Sequence, residues 1–473
     1  MELENMCETE TEDDIITTGK YVIVKKLNFK KIYKVTSNGT LMLGKDLVEM
    51  HGIVGKRFWT TFEMIPINKG KRTYSLQEVL ETESLNDLLN ELPSGSDNRS
   101  IIDDGTSQKL SKEEIVQLQE SGKSGKEIVG SLIENNKSFL DRTEYSQEKY
   151  LKKKEQKYFR YLTICKPSIS SLHEVYFKLD HNKIGNLRMD SLAQLLSYSD
   201  VQANGLYMLY DSGSQGLPAA AMLNRIGSNT EGYLINLHPG NVPQAMLVHA
   251  MNFPKQQSDR LINVNIYSFL RLFYQGENAV LNNISKKVHN NWINKTKEGK
   301  SEKEGDDRVN HEISHIEETM DNKDTNLGNI NETNEMPKEQ STDGSLKRKL
   351  DERESMEGTM SKKPRWLLET QHAVELVQNS IVRGLAIVAK EHPLNIVTAL
   401  LPFLGASRPF VIYHIYREPL QETYMMLKQK QNVINLRLFS NFLRSYQVLP
   451  ERTHPDILTS DTGGYLLTGY LVQ

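Results

Sequence analysis

The chain has 473 residues, 25% of them charged and 38% hydrophobic, with a formal net charge of −3. Two or three domains of ordinary soluble composition fit that length, and a near-neutral balance excludes binding of nucleic acid by bulk charge alone. Two cysteines, Cys7 and Cys165, exclude a disulfide framework or a cysteine zinc site and fit a reducing compartment, while the absence of a secretory core or a ~20-residue apolar run excludes a signal peptide or a membrane span.

Residues 1–19 read as a disordered acidic tail. Residues 20–75 contain the runs YVIVKKL, KIYKVT, GTLMLG and RFWTTFEMI, separated by Asn-Gly or other glycine turns, a pattern that predicts a small antiparallel β-barrel or sandwich. A polar linker follows over 76–97. Residues 98–160 predict a helical connector. Ser111 and Glu114 have the spacing of a capping box, and Ile128, Val129, Leu132 and Ile133 recur at helical spacing.

From 161 to 281 strand-like and helix-like runs alternate, as in a parallel sheet with crossover helices. Residues 282–365 break the pattern. They are rich in Asn, Lys, Glu, Asp and Ser, with Trp292 their only Phe, Tyr or Trp, and predict a disordered insert. The periodicity returns over 366–473. A long helix over Ala373–Ala389, a second over Ile396–Leu404, a strand over Phe410–His414 and a helix over Leu420–Lys428 are expected there. Val433–Leu438 and Tyr465–Val472 read as a closing pair of strands. The α/β domain is thus split by the insert.

The opening of that domain carries the sharpest chemical signal. Leu206–Asp211 (LYMLYD) reads as a buried strand ending in an acid, followed by the turn SGSQGL, an apolar helix over Pro218–Ile226 and a second strand over Tyr233–Leu237. This is the strand–turn–helix–strand entrance of a doubly wound fold, where the turn meets the ligand. A cofactor site there needs closely spaced glycines and an acid ending the second strand to hold ribose hydroxyls. Here the glycines are Gly213 and Gly216, Pro218 removes an N–H, and the second strand ends in His238-Pro239. The outline of the fold is expected without the cofactor site.

Other motifs weigh less. His311-Glu-Ile-Ser-His315 matches the zinc-peptidase pattern but lies in the most polar stretch, with no apolar face to hold a helix, so chance explains it better. Lys347-Arg348-Lys349 and Lys362, Lys363 and Arg365 form two basic clusters twelve residues apart, a spacing that fits nuclear import more readily than a solvated charge run. Lys149, Lys152, Lys153, Lys154 and Lys157 interleave with Tyr150, Tyr158 and Tyr161. Lysines can neutralise phosphates and tyrosines can stack on unpaired bases, although an exposed helix face would look the same, and Glu155 and Gln156 interrupt the run. The loop holding His181, Lys183 and Asn186 reads by itself as ordinary surface. So do the stretches around Lys428, Lys430 and Gln447–Pro455. Lys390 and His392 are placed at the end of the long helix, where cations are favoured. Gly122–Lys126 lacks the spacing of a phosphate loop.

Several segments taken together resemble one family: DNRSIIDDGTSQKLSKEEI, KEIVGSLIENNKSFLDRTEYSQEKYLKKK, SRPFVIY, VINLRL with YQVLPERTHP, and GGYLLTGYL. It is the non-catalytic subunit of the eukaryotic tRNA adenine-N1 methyltransferase that modifies the T-loop adenine. The similarity runs from Asp97 onward except the insert. It implies a degenerate class I methyltransferase-like, Rossmann-like domain, preceded by the small β-barrel-like domain and lacking a cofactor of its own. A catalytic partner would bind S-adenosylmethionine, the two kinds of subunit would form a heterotetramer, and tRNA would lie across both; the two basic clusters add the expectation of a nuclear location, and the lack of a long apolar run that of no membrane. The resemblance also implies tRNA contacts at Asn98, Arg99, Asp103, Asp104, Ser107 and Gln108, and at the lysines and tyrosines from Lys149 to Tyr158. Further implied contacts are His181, Lys183, Asn186, Lys390, Lys428, Lys430, Asn435, Gln447, Arg452 and His454. Two alternatives stay open: an active S-adenosylmethionine-dependent RNA methyltransferase with an unusual turn, and a scaffold in translation initiation without RNA contact.

Overall fold

The computed structural model describes residues 14–67, 72–83, 107–121, 123–278, 364–449, 452–456 and 463–472. The tail up to residue 13, the end of the linker, the His311–His315 motif and the insert up to residue 363 lie outside the described residues.

The N-terminal unit is built on β1 (Tyr21–Lys26), β2 (Phe29–Lys34), β3 (Thr40–Leu43), β4 (Asp46–Glu49), β5 (Thr61–Pro66) and β6 (Thr73–Val79). Alternation puts Val22, Val24, Phe62 and Met64 into one core with Val48, Met50 and Ile164. Three boundaries differ from expectation. Ile16, assigned to the tail, is fully buried, and its N–H donates to the Lys56 carbonyl at 2.8 Å. Strand β6 runs into the segment read as linker, because Tyr74 is buried on its inner side despite polar neighbours. β7 (Tyr161–Cys165), placed above in the α/β half, instead pairs with β1 and β5 and completes a seven-stranded sheet of order β2-β1-β7-β5-β6-β4-β3.

Three helices lead into β7: α1 (Lys112–Glu120), α2 (Gly125–Glu134) and α3 (Glu144–Tyr158). The Ser111–Glu114 capping box forms, and Ser124–Glu127 makes a second one at the start of α2. Val129, Leu132, Phe139, Leu151, Tyr158 and Phe159 make the small core that holds this connector together.

The α/β unit follows as α4 (Ile169–Asp180), a 3-10 turn at His181–Ile184, α5 (Met189–Tyr198), β8 (Leu206–Asp211), α6 (Leu217–Ile226), β9 (Tyr233–His238), α7 (Met246–Ala250), α8 (Lys255–Ser258), β10 (Leu261–Asn265) and α9 (Ile266–Gln275). Beyond the insert come α10 (Arg365–Asn379), β11 (Val382–Val388), α11 (Pro393–Leu400), β12 (Pro409–His414), α12 (Glu418–Gln429), β13 (Val433–Phe439), the hairpin β14 (Tyr446–Leu449) and β15 (Arg452–Pro455), and β16 (Tyr465–Leu471). The sheet order is β10-β9-β8-β11-β12-β16-β13, with β16 antiparallel to both neighbours. Order reversal between β8 and β11 defines the switch point of a doubly wound sheet. The fold class is therefore the doubly wound, Rossmann-like α/β one expected.

The single helix expected over Ala373–Ala389 is two elements. α10 ends at Asn379, and Val382–Val388 is the central strand β11, parallel to β8 on one side and β12 on the other. A strand covered on both faces reads as a continuous apolar run, and VRGLAIV directly after a helix loses its period-2 signature. Gly384 is needed there, since a Cβ on it would lie 2.3 Å from the Ser199 carbonyl oxygen. The two units meet through β1: Ile23 and Cys165 point into the α/β core, while Val22 and Val24 face the N-terminal one. Among the described residues no helix is long and apolar enough to cross a membrane.

Candidate nucleic-acid interface

Helix α3 sorts its side chains by face. Gln147, Leu151 and Tyr158 are buried, whereas Lys149, Lys152, Lys153, Gln156 and Lys157 are exposed. Residues 149, 152, 153 and 156 fall at helical spacing on one side, and with Tyr145, Glu148 and Gln447 they line a cleft of about 410 Å³. Two predicted contact segments far apart in sequence, the lysine run and the β14 hairpin, thus meet in space. Lys152 is paired with Glu148 at 2.6 Å. Among the described residues neither Lys149 nor Lys153 has an ion-pair partner.

The aromatic half of the lysine–tyrosine pattern is structural. Tyr158 is buried, and Tyr150 packs against the Phe139 ring at 5.3 Å between centroids. A buried ring offers no face to a base, so Tyr158 is corrected from stacking residue to core residue. Lys154 also turns inward, with Nζ 4.9 Å from the Tyr150 ring and 6.0 Å from that of Tyr158. Burial lowers its pKa, and Lys157 and Lys153 act in the same direction against the Tyr158 hydroxyl. Gln156, read from the sequence as an interruption, lines the cleft. The 3.6-residue period would have found it. Glu155 is half-buried, and burial raises its pKa against the pull of Lys152.

Of the remaining predicted residues, His454 sits cross-strand from Gln447 on the cleft hairpin, which also carries Arg452, and the rest lie on other elements or outside the described residues. Asn98, Arg99, Asp103 and Asp104 lie outside the described residues, as do Lys347, Arg348, Lys349, Lys362 and Lys363. Arg365 starts α10 and pairs with Glu369 at 2.9 Å. Gln108 holds the connector together: its amide donates to the Leu132 carbonyl at 3.0 Å and accepts from the Leu110 N–H. Ser107 is half-buried beside it, its carbonyl bonded to the Lys137 N–H. His181 and Lys183 are exposed on the 3-10 turn, and Asn186 donates to the Asn182 side chain at 3.2 Å. Lys428 and Lys430 are exposed at the end of α12, and Asn435 is exposed on edge strand β13. On the hairpin, Gln447 pairs in register with His454, while β15 begins at Arg452.

At the switch point the turn after β8 is occupied by its own chain. Asp211 is buried, and its carboxylate accepts from the Gly213 N–H and the Ser214 N–H, both at 3.0 Å, and from Ser214 Oγ at 2.5 Å. Burial raises its pKa against those hydrogen bonds. Lys390 is not at a helix end as expected. It follows β11, its N–H donates to Ser212 Oγ at 2.8 Å, and its side chain lies across Gly213 so closely that a Cβ there would be 2.6 Å from Nζ. His392 instead caps the start of α11. His238, where a ribose-binding acid would stand, is buried with Nδ1 2.9 Å from the Gly240 carbonyl oxygen.

The chain is similar to known proteins. The Gcd10p family model matches residues 15–353. The tRNA (adenine(58)-N(1))-methyltransferase non-catalytic subunit TRM6 of Mus musculus is 32% identical over 470 residues, covering 97% of this chain and 89% of that protein. The subunit of the same name from Dictyostelium discoideum is 28% identical, covering 97% of this chain and 80% of that protein. A solved S-adenosylmethionine-dependent O-methyltransferase from Thermotoga maritima aligns over 98% of this chain and 97% of its own at 10% identity, with a TM-score of 0.42. The chain belongs to the Gcd10p family.

Proposed function

We propose that the chain is the non-catalytic, tRNA-binding subunit of a tRNA (adenine(58)-N(1))-methyltransferase, acting in the nucleus as a heterotetramer with a catalytic, S-adenosylmethionine-binding partner. The observation that carries the RNA role is the cleft between α3 and the hairpin, lined by Gln447 and by Lys149 and Lys153, which have no ion-pair partner among the described residues. Lysines there neutralise backbone phosphates, and the neutral amides of Gln447 and Gln156 add directed hydrogen bonds. The non-catalytic role draws support from the switch point. The oxygens of Asp211 are spent on their own loop, Lys390 covers Gly213, and His238 offers no carboxylate to ribose hydroxyls. This set of residues does not fit an adenosyl cofactor. Chemistry then belongs to the partner, and the binding surface of this chain offsets the cost of exposing a target base that is folded into the T-loop.

Methyl transfer to unmodified tRNA, measured with this chain, the partner and the mixture, tests the assignment. Activity is expected only in the mixture, with no S-adenosylmethionine bound by this chain alone. Activity from this chain alone would make it the enzyme.

A further inference from the structure

Between β13 and β16 the chain leaves the sheet, forms the β14–β15 hairpin and returns, carrying Gln447 to the α3 lysines. Both necks of this excursion meet one turn at the start of α5. Arg188, 4% exposed, grips the Asp190 carboxylate with two hydrogen bonds of 2.6 and 2.8 Å. Its Nη2 also donates to the Asn441 carbonyl at 2.9 Å, on the outgoing neck. On the returning neck, Ser191 Oγ donates to the Gly463 carbonyl at 2.6 Å. The guanidinium lies against Gly463 itself, where a Cβ would fall 2.8 Å from Arg188 Nε and Cζ. Next to it Gly464, at φ 74°, leaves room for the Tyr413 ring, whose hydroxyl donates to the Gly185 carbonyl at 3.2 Å. A buried bidentate arginine is among the stiffer polar anchors a protein can build, and removing one member leaves an uncompensated charge.

We propose that Arg188, with Asp190 and Ser191, is a positioning clamp that fixes both necks of the hairpin and so sets Gln447 at the correct distance from Lys149 and Lys153. The clamp touches no RNA. It acts through the hairpin, and its functional meaning rests on the RNA reading of the cleft.

The test uses the full chain as Arg188→Gln, with Ser191→Ala, which removes only the grip on Gly463, as a second variant in case the first fails to fold. Hydrogen exchange over residues 441–456 is expected to rise in either variant, while β8, β9, β11 and β12 keep their protection. tRNA affinity is expected to fall about tenfold for Arg188→Gln. Adding Gln447→Ala to the clamp variant should cost nothing further, because the clamp acts through that residue. Unchanged hairpin exchange overturns the clamp whatever the RNA does. Full additivity with Gln447→Ala overturns the positioning role. If Lys153→Ala and the clamp variants all leave tRNA affinity unchanged, the RNA reading has failed and the positioning role falls with it, which the exchange data distinguish from a missing clamp.

Discussion

Replacing both Lys149 and Lys153 with alanine separates an RNA-binding face from an ordinary solvated one. Both side chains are exposed on the cleft side of α3, one helical turn apart, without ion-pair partners among the described residues. Each phosphate contact contributes roughly 0.7 to 0.9 to the slope of log affinity against log salt, so losing two should flatten that slope by about 1.4 to 1.8. Between about 50 and 200 mM salt, the affinity gap between wild type and double variant should therefore shrink roughly ninefold. Folding stability should move by no more than about 0.5 kcal/mol, since neither lysine packs against the core. Anisotropy titrations of labelled tRNA across a salt series give the slope directly. Lys154→Ala is the matched control: it removes a lysine from the same helix, but one lying over Tyr150, so it should lower stability by about 0.5–1 kcal/mol and leave the slope unchanged. An unaltered slope in the double variant, or equal flattening by Lys154→Ala, refutes the assignment of the cleft face.

Glu148 holds Lys152 through a 2.6 Å contact, and under the proposed RNA role it would compete with phosphate for that lysine. Glu148→Gln should therefore tighten tRNA binding and steepen the salt slope by up to about one, and weaker binding would contradict this. Gly384→Ala forces a Cβ to within 2.3 Å of the Ser199 carbonyl oxygen and should destabilise the fold by about 1–3 kcal/mol in urea unfolding; a neutral result would show that α5 and β11 can separate. Burial lowers the pKa of His173 and His238 from the usual 6.5, opposed in each by a bond to a backbone carbonyl, of Leu187 and Gly240 respectively. The unfolded chain then binds more protons, so the stability these two residues contribute is full above about pH 6.5 and lost as pH falls through their folded values. Thermal unfolding of a His173→Asn, His238→Asn variant should show a shallower decline between about pH 7 and 5.5 than wild type, and parallel declines would exclude both histidines.

Much of the architecture was legible because period and punctuation agreed. LYMLYD with its glycine turn gave β8 and α6, and SKEE gave the first cap of the connector. The misreadings have a common physical source: elements whose partners are remote. β7 looks like the first strand of the α/β domain because it follows the connector, yet its pairing with β1 and β5 is decided by residues 98 or more positions away. β11 is apolar on both faces and abuts a helix, so no local signal marks where α10 stops. Within the interface, the lysines were visible as charge, but which of them face the cleft was not. Lys153 and Lys154 are neighbours in the chain and lie in opposite environments on the helix. The grips of Arg188 on Asn441 and of Ser191 on Gly463 involve backbone carbonyls, which leave no trace in side-chain identity.

The pairing of β11 between β8 and β12 also imposes an order of events during synthesis. β8, β9 and β10 leave the ribosome as a three-stranded parallel piece whose inner edge, on β8, has no neighbour until β11 is made. Roughly 170 residues separate the two strands, which at 5–20 residues per second is about 10 to 35 seconds of waiting with an apolar strand edge unpaired. Residues 282–365 account for about half of that wait, and lengthening a connection costs little at equilibrium, only about 0.6 kcal/mol for each doubling. The length of the insert is thus nearly free in stability and expensive in time. An exposed parallel edge is an invitation to wrong partners, and shortening the insert should raise the yield of native chain far more than its melting temperature.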